Sequence, residues 1–229
     1  SDLIYELNSL KDLKRIRYTT SHPRDVTNDL IEVHQSCEKL MPILHLPVQS
    51  GSSKILKLMN RKHDKEYYLK IINKILEVRH DMKFSSDFII GYPGETNKDF
   101  EETIKLINRV KFINSYSFVY SQRPGTPATR ANEVDKIISK KRLQSIQELL
   151  KSYQINHKKS LFGKSIEVLF ENKMKGQNKY FGRDKYLNPV LVESNKNLTG
   201  EIMKIKIVDY NHNNLFGEKI KVQRNYYAA

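Results

Sequence analysis

The chain has 229 residues, a hydrophobic content of 38% and a formal net charge of +14 at pH 7. This length suffices for one α/β domain and a second, smaller domain. No apolar run approaches the roughly 18 residues of a membrane-spanning helix, so no membrane partner is expected. The single cysteine, Cys37, excludes an internal disulfide framework and a multi-cysteine metal site made from this chain alone. It also favours a reducing, cytoplasmic setting.

The excess of lysine and arginine is greatest, per residue, in the last hundred residues. A basic surface favours polyanionic partners, nucleic acid first. The alternative explanation is a lysine- and asparagine-rich composition of the kind that AT-rich genomes produce. The charge therefore indicates an RNA partner without establishing one.

Strand-like and helix-like segments alternate through the first 121 residues. After an amphipathic helix at 1–14, strands are predicted at 15–20, 43–48, 84–90 and 115–121, with helices at 27–40, 53–59, 64–80 and 99–110. This alternation predicts parallel βαβ packing in a barrel or half-barrel of the TIM type. The predicted class over residues 1–132 is therefore α/β.

The pattern changes near residue 160. A long basic helix at 134–161 is interpreted as a connecting element over residues 133–160. Its predicted apolar stripe consists of Ile137, Ile138, Ile146, Leu149, Leu150 and Tyr153. Beyond this helix, five short strands are predicted at 165–170, 179–183, 189–192, 202–209 and 215–222. Their turns carry Asn, Lys and Gly, which is typical of a small all-β barrel of OB-like size over residues 161–229.

The segment 85–100, SSDFIIGYPGETNKDF, is the most informative stretch. Its apolar run ends in a Gly-Tyr-Pro-Gly turn, and Thr96 and Asp99 stand where a capping box would start the next helix. Backbone amides and polar side chains then converge at the carboxyl end of a strand, where ligands bind in α/β folds. An ordinary βα turn would explain the glycines alone.

Three polar residues near strand ends are candidate ligand-binding residues. Gln49 can both donate and accept hydrogen bonds, as recognition of a ribose or base edge requires. Arg61 follows on the next helix and could reach a carboxylate or a sugar hydroxyl. Asp87 is a carboxylate within an apolar strand, which is costly to bury unless it is paired. The alternative is that Ser50 and Ser52 merely cap a helix, that Arg61 is solvated and that His45 is a satisfied core histidine.

The last segment interleaves cations with aromatic rings. The cations are Lys173, Lys175, Lys179, Arg183 and Lys185, and the rings are Tyr180, Phe181 and Tyr186. Cations for phosphates beside rings for base stacking are typical of proteins that bind single-stranded or loop RNA. The alternative is a solvated face whose rings fill the barrel core.

The chain begins without methionine, and the apolar face of its first helix has nothing before it to cover. A half-barrel that starts with a helix lacks at least one strand. We therefore expect the chain to be the carboxyl part of a longer protein.

Five motifs occur in order along the chain: RIRYTTSHP, LHLPVQSGS, LMNRKH, SSDFIIGYPGET and RPGTPA. Together they closely resemble the radical S-adenosylmethionine (SAM) methylthiotransferases, most of all the MiaB-type members that act on tRNA. The resemblance covers residues 3–222. The closing segment resembles a TRAM domain, with Gly182-Arg183 and Leu215-Phe216-Gly217 at its recurrent positions.

The resemblance implies a partial TIM-like radical SAM barrel that lacks its first strands, followed by an OB-like TRAM barrel. It implies that Gln49, Arg61 and Asp87 hold the ribose and methionine ends of SAM. The strand containing Phe88, Ile90 and Gly91 would pass along the adenine. The implied reaction is methylthiolation of an isopentenylated adenosine beside the anticodon of tRNA.

The resemblance also implies partners and cofactors for the parent protein. These are SAM, two 4Fe–4S clusters, a reductant protein and the anticodon stem-loop of tRNA, with a monomer expected. The CxxxCxxC loop and the amino-terminal domain that ligate the clusters are absent from this sequence. The chain alone is therefore expected to be inactive.

Three alternatives remain open at this point. A relative in the same family methylthiolates a threonylcarbamoyladenosine in tRNA, and another modifies an aspartate of a ribosomal protein. From a different class, the chain could be a non-catalytic RNA-binding remnant. The basic final domain favours tRNA over a basic ribosomal protein.

Overall fold

The computed structural model of the chain describes residues 1–19 and 22–220. The predicted ends of the first strand at residue 20 and of the last strand at 222 lie outside these residues. The chain divides into two compact units, Ser1–Gln154 and Ile155–Ala229. This division falls inside a helix that sequence analysis had assigned to a separate connecting element.

Parallel strands form the framework of the first unit. β1 (Ile43–His45) pairs in parallel with β2 (Lys83–Ser85), and β3 (Asp87–Ile90) pairs in parallel with β4 (Tyr116–Val119). Isolated parallel bridges join Thr19 to His45 and Gln49 to Phe88. Four consecutive chain segments therefore lie side by side in sequence order, as the βαβ pattern predicts.

The segment predicted as one strand at 84–90 is two strands with a break at Ser86. The Ser86 amide donates to Ser115 Oγ at 2.9 Å, and Ser86 Oγ accepts from the Val48 amide at 2.9 Å. Side chains thus take up backbone donors that a continuous ladder would use. The ladder resumes beyond the break, where the Gln49 amide donates to the Asp87 carbonyl at 3.0 Å.

Among the described residues, six helices accompany these strands: α1 (Asp2–Ser9), α2 (Asn28–Ser36), α3 (Ser53–Leu58), α4 (Lys65–Val78), α5 (Asn97–Val110) and α6 (Lys136–Lys159). Short 3₁₀ turns occur at Pro23–Asp25 and Pro127–Arg130. α1 is shorter than predicted because Leu10 takes an extended conformation that ends the helix. None of the helices in the described ranges is long and apolar enough to cross a membrane.

The core of the first unit lies between the strands and the helices. It includes the strand residues Leu44 and Phe88, the α4 residue Tyr68, and Ile146 and Leu150 of α6. The middle of α6 is thus part of this core. Ile137 and Ile138 near its start, predicted to belong to the apolar stripe, are exposed instead.

The second unit is a closed barrel of five strands in the order β5-β6-β7-β9-β8. The strands are β5 (Ser165–Lys173), β6 (Lys179–Arg183), β7 (Pro189–Glu193), β8 (Ile202–Tyr210) and β9 (Leu215–Lys219). Inward residues such as Val168, Phe170 and Val190 are fully buried. A Cβ on Gly182 would lie 2.5 Å from the Leu169 carbonyl oxygen, so only glycine allows β5 and β6 to approach this closely.

The predicted capping box at the start of α5 is confirmed. Thr96 Oγ1 accepts from the Asp99 amide, and Asp99 Oδ2 accepts from the Thr96 amide at 2.9 Å. Asp99 also accepts from Ser52 Oγ at 2.7 Å and from Lys54 Nζ at 2.8 Å. The cap therefore joins the start of α5 to the start of α3.

Asp99→Asn tests this junction. Burial acts to raise the pKa of Asp99, but hydrogen bonds from Lys54, Thr96 and Ser52 outweigh it and hold the pKa well below its ordinary value. A depressed folded-state pKa stabilises the fold above the unfolded-state pKa of about 3.9, and this stabilisation is lost as pH falls through the folded-state value. We expect a loss of about 1–2 kcal/mol at pH 7 that shrinks below about pH 4.

Urea denaturation at pH 7 and at pH 3 measures the effect. Glu101→Gln, an exposed carboxylate on the same helix, is the control and should change stability little at either pH. An equal loss for Asp99→Asn at both pH values would contradict the assignment.

Candidate functional site

The carboxyl ends of the four parallel segments define one edge of the first unit, which we call the carboxyl edge. It comprises the residues that follow each segment: His22, Gln49, Gly91 and Tyr120. Parallel strands bring these chain positions together although they are far apart in sequence. A cavity of about 390 Å³ lies at this edge, lined among others by Gly91, Tyr120 and Ser139.

Gln49 is held at the carboxyl edge by its backbone. It has a φ of 73°, unusual for a residue other than glycine, and its carbonyl accepts from the Ile89 amide at 2.9 Å. The residue is 7% exposed. Its side-chain amide makes no hydrogen bond with any described residue and is therefore available for a ligand.

Asp87 and Ile89 lie on the less buried face of β3, which we call the open side of the parallel strands. Asp87 lies beside His45 there. His45 Nε2 lies 3.6 Å from Asp87 Oδ2, and His45 Nδ1 lies 2.9 Å from Ser85 Oγ. Both side chains remain partly exposed. The carboxylate therefore has a histidine as its neighbour and is not fully buried. His45 is hydrogen-bonded, as expected, but it is partly exposed and is not a core residue. Its position beside Asp87 was not anticipated.

Phe88 and Ile90 point away from the open side. Both side chains are fully buried among the helices, so a ligand on the open side would meet only the backbone of β3 at these positions. Gly91 has a φ of +71°, and a Cβ there would lie 2.3 Å from Ser139 Oγ. The Gly91 amide already donates to Glu95 Oε1 at 3.1 Å.

Ser50 and Ser52 have structural roles. Ser52 Oγ accepts from the Ile55 amide and caps α3, while Ser50 Oγ accepts from the Ser52 amide at 3.1 Å. The capping interpretation is therefore confirmed for Ser52, whereas Ser50 holds the turn before the helix through the amide of Ser52. Arg61 is half-buried rather than solvated, and it lies beside His22 and His63.

A buried ion pair that sequence analysis did not identify fixes the loop after β3. Arg142 of α6 donates to Glu95 Oε1 at 2.7 Å and to Asn97 Oδ1 at 2.6 Å. The two charged side chains are 8% and 1% exposed. Burial raises the pKa of Glu95, and the Gly91 amide and Arg142 oppose this rise. Glu95 and Arg142 are 47 residues apart in the chain, and no local sequence pattern predicts that they pair.

In the second unit, the five predicted RNA-binding cations lie on the β5–β6 hairpin and the turn that follows it. Lys173, Lys175 and Lys185 are exposed. Lys179 Nζ lies 3.5 Å from Glu193 Oε1, and Arg183 Nη1 lies 3.3 Å from Glu171 Oε1. Lys179 and Arg183 thus already have acidic partners, and Lys185 Nζ lies 5.2 Å from the centroid of the Tyr186 ring.

The predicted aromatic residues of this unit divide between the interior and the surface. Tyr180 and Tyr186 are 4% and 8% exposed and are unavailable for stacking. Phe181 alternates with Tyr180 along β6 and lies on the outer face, with the Arg183 guanidinium 5.0 Å from its ring centroid. Of the three rings predicted to stack on RNA bases, Phe181 is therefore the one that lies on the outer face of the barrel.

Within the described ranges, no three His, Cys, Asp or Glu side chains gather into a group that could hold a metal. Cys37 is 1% exposed and packs in the small core formed with Ile4 and Leu40. A 4Fe–4S cluster needs several thiolates, so the residues present do not fit such a cluster.

Comparison with known proteins shows which families the chain resembles. The radical SAM superfamily model matches residues 1–107 of the 229. A solved structure of coproporphyrinogen III oxidase from Escherichia coli, a radical SAM enzyme, superimposes with a TM-score of 0.50 at 15% identity. The superposition covers 89% of this chain and 50% of the oxidase chain. At this sequence identity, the likeness supports the fold alone.

Two curated relatives are much more similar in sequence. Both are named tRNA-2-methylthio-N(6)-dimethylallyladenosine synthase. The protein from Pelagibacter ubique is 52% identical over 218 residues, and the one from Rickettsia akari is 49% identical over 220 residues. Each alignment covers 95% of this chain and 49% of the relative. The chain therefore spans about half the length of the curated relatives it matches.

Arg142→Ala tests the ion pair at the loop after β3. Removing one partner leaves a buried carboxylate uncompensated, and we expect a loss of about 3–5 kcal/mol of stability. Urea denaturation followed by circular dichroism measures it. Lys141→Ala removes an exposed cation from the adjacent position of α6 and should cost little. A similar small effect for both variants would show that the pair does not stabilise the loop.

Proposed function

We propose that this chain is part of an enzyme that methylthiolates isopentenylated adenosine beside the anticodon of tRNA, with SAM as cofactor. The observation that carries the proposal is the identity of about half over 95% of the chain to relatives named for this product. The unpartnered polar groups at the carboxyl edge supply a place for the cofactor. The names of these relatives favour this substrate over threonylcarbamoyladenosine and over a ribosomal-protein aspartate.

The carboxyl edge fits a nucleoside cofactor with an amino-acid end. The Gln49 side chain has no partner among the described residues and can bond a ribose hydroxyl, while Asp87, held by His45, can accept from another hydroxyl. The backbone of β3 at Phe88 and Ile90, together with Gly91, would pass along the adenine. When bound, SAM supplies the radical chemistry and the methyl group; these residues bind and orient it.

We assign no cluster ligand to this chain, because its one cysteine is buried in a separate small core. Residues outside this sequence would bind the two 4Fe–4S clusters and the reductant protein that we propose for the whole enzyme. What this chain contributes is cofactor positioning at the carboxyl edge.

We further propose that the second unit is a TRAM domain that binds the anticodon stem-loop. Its closed five-strand barrel carries the exposed lysines of the β5–β6 hairpin and the outward-facing pair of Phe181 and Arg183. Lysines neutralise phosphates, and a phenylalanine beneath a guanidinium offers a surface on which a base can stack.

The activity is tested with the whole, cluster-loaded enzyme. It is incubated with SAM and with tRNA bearing either isopentenyladenosine or threonylcarbamoyladenosine, and the digested nucleosides are analysed by mass spectrometry. Methylthiolation of the isopentenylated nucleoside is expected. Modification of the other tRNA alone would replace the proposed substrate, and modification of neither would contradict the proposed reaction.

Asp87→Ala should weaken SAM binding by about ten- to a hundredfold in the whole, cluster-loaded enzyme, because a hydrogen bond to a charged group is lost. Isothermal titration calorimetry measures the affinity. Glu77→Ala removes an exposed carboxylate on α4 and should leave it unchanged. Unchanged affinity for Asp87→Ala would mean that the cofactor lies elsewhere.

Binding of tRNA should weaken steeply as salt rises, since phosphate contacts release counterions. Combined replacement of Lys173, Lys175 and Lys185 by alanine should reduce the slope of log K against log salt by roughly 0.7–0.9 for each lost contact. Fluorescence anisotropy measures both quantities. Replacing the exposed Lys11, Lys70 and Lys98 of the first unit removes equal charge and serves as the control. Equal effects of the two triple variants would indicate non-specific attraction.

A further inference from the structure

Three apolar side chains form a row across the outer face of the barrel. Phe181 of β6 is paired in register with Leu191 of β7, and Leu191 is paired with Phe216 of β9. Each of the three is partly exposed, and both of its neighbours along the strand are buried. Alternation along a strand therefore places all three side chains outside the barrel. We call these three residues the outer row.

The outer row is separate from the barrel core. Among the described residues, the partly buried apolar side chains that pack against this core are Ile166, Met203 and Tyr210. The outer row is instead a strip of apolar surface on a face that also carries charged side chains. Apolar side chains that are contiguous on a surface and rimmed by charge indicate an interaction site.

A glycine follows each phenylalanine of the outer row. A Cβ on Gly182 would lie 2.5 Å from the Leu169 carbonyl oxygen, and a Cβ on Gly217 would lie 2.2 Å from Ile205 Cγ2. These two glycines let β6 and β9 pack closely against the neighbouring strands. The backbone that carries the two rings is therefore held in place, and the rings are presented at a set spacing.

The spacing of the two rings favours unpaired bases over paired ones. Phe181 and Phe216 lie two strands apart, which corresponds to about 10 Å between their backbones. Successive bases of a duplex are only about 3.4 Å apart along its axis, and they are stacked on one another. Bases of an unpaired strand can be splayed apart, so each can stack on one of the two rings.

The charges around the outer row favour a nucleic acid as the partner. Residues 161–229 contain 12 lysine and arginine residues and seven aspartate and glutamate residues. At the β6 end of the row, the Arg183 guanidinium lies 5.0 Å from the Phe181 ring centroid. At the other end, Phe216 is paired in register with the exposed Asp209 of β8. Phosphates are attracted to the first end and repelled at the second, so a bound strand presents a base to Phe216.

We propose that the outer row binds unpaired RNA by stacking one base on Phe181 and a second base on Phe216, with Leu191 between the two. The exposed lysines of the β5–β6 hairpin hold the phosphates, and the outer row contacts the bases. This inference rests on the proposed RNA binding by the second unit. It adds which part of the RNA this unit contacts, namely the loop of the anticodon stem-loop rather than its paired stem.

Fluorescence anisotropy of the 229-residue chain with two labelled RNAs tests the proposal. One RNA is a single strand of about ten nucleotides, within the range that a barrel of this size covers. The other is a blunt duplex of the same length. At equal salt, the single strand should bind at least about tenfold more tightly, because only its bases are free to stack.

Variants of Phe216 separate stacking from charge. Phe216→Ala should weaken binding of the single strand by about five- to a hundredfold, because one base loses its stacking partner. The slope of log K against log salt should not change, since no phosphate contact is removed. Phe216→Tyr keeps a ring and should retain the affinity. Val208→Ala removes an exposed apolar side chain of β8 and is the control that should change neither quantity.

Aromatic-ring NMR of the unaltered chain supplies a measurement that needs no variant. The ring signals of Phe181 and Phe216 should shift when the single strand is added, and they should not shift with the duplex. The ring of Phe170 is fully buried in the barrel and is the internal control.

The outcomes separate the outer row from the proposed function. Unchanged affinity for Phe216→Ala, or no ring shift with the single strand, would overturn the outer row and leave RNA binding by the lysines standing. Equal weakening for the single strand and the duplex would overturn base stacking. Binding of neither RNA would contradict the RNA partner itself. Self-association in sedimentation velocity that Phe216→Ala abolishes would assign the row to a second copy of the chain instead.

Discussion

Parallel hydrogen bonding between consecutive chain segments is the constraint on which the first unit depends. The ladder runs from Ile43–His45 through Lys83–Ser85, and it resumes beyond the break at Ser86 through the bond from the Gln49 amide to Asp87. Since all segments run in one direction, His22, Gln49 and Gly91 come to one edge. The candidate site exists because of this arrangement.

Buried charge is used in two different ways in this unit. Glu95 and Arg142 neutralise each other and fix the loop after β3, and Asp99 is held by the cap and by Lys54. Both pairs are satisfied within the chain. His63 is 8% exposed, and neither of its ring nitrogens has a hydrogen-bond partner in the described ranges. The Tyr120 hydroxyl, at the carboxyl edge, is likewise buried without a hydrogen-bond partner in the described part of the chain.

In the second unit, closure of the five-strand barrel determines which side chains are buried. Closure gives every strand an inner and an outer face, and alternation along β6 places Tyr180 inside and Phe181 outside. The buried Lys158 donates to the His212 and Asn213 carbonyls at 2.6 and 2.9 Å. Lys158 is therefore a structural residue and is not part of the proposed RNA-binding surface.

The sequence by itself determined the alternation of strands and helices, the capping box at Thr96 and Asp99, the five strands of the second unit and the family motifs, because periodicity and capping are local properties. Only the tertiary structure decided that the strand at 84–90 breaks, that Ile137 and Ile138 are exposed, and which of the three rings faces outward. The pairing of Glu95 with Arg142 and the meeting of His22 with His63 join residues distant in sequence. Such contacts depend on how the strands pack, and no local pattern encodes them.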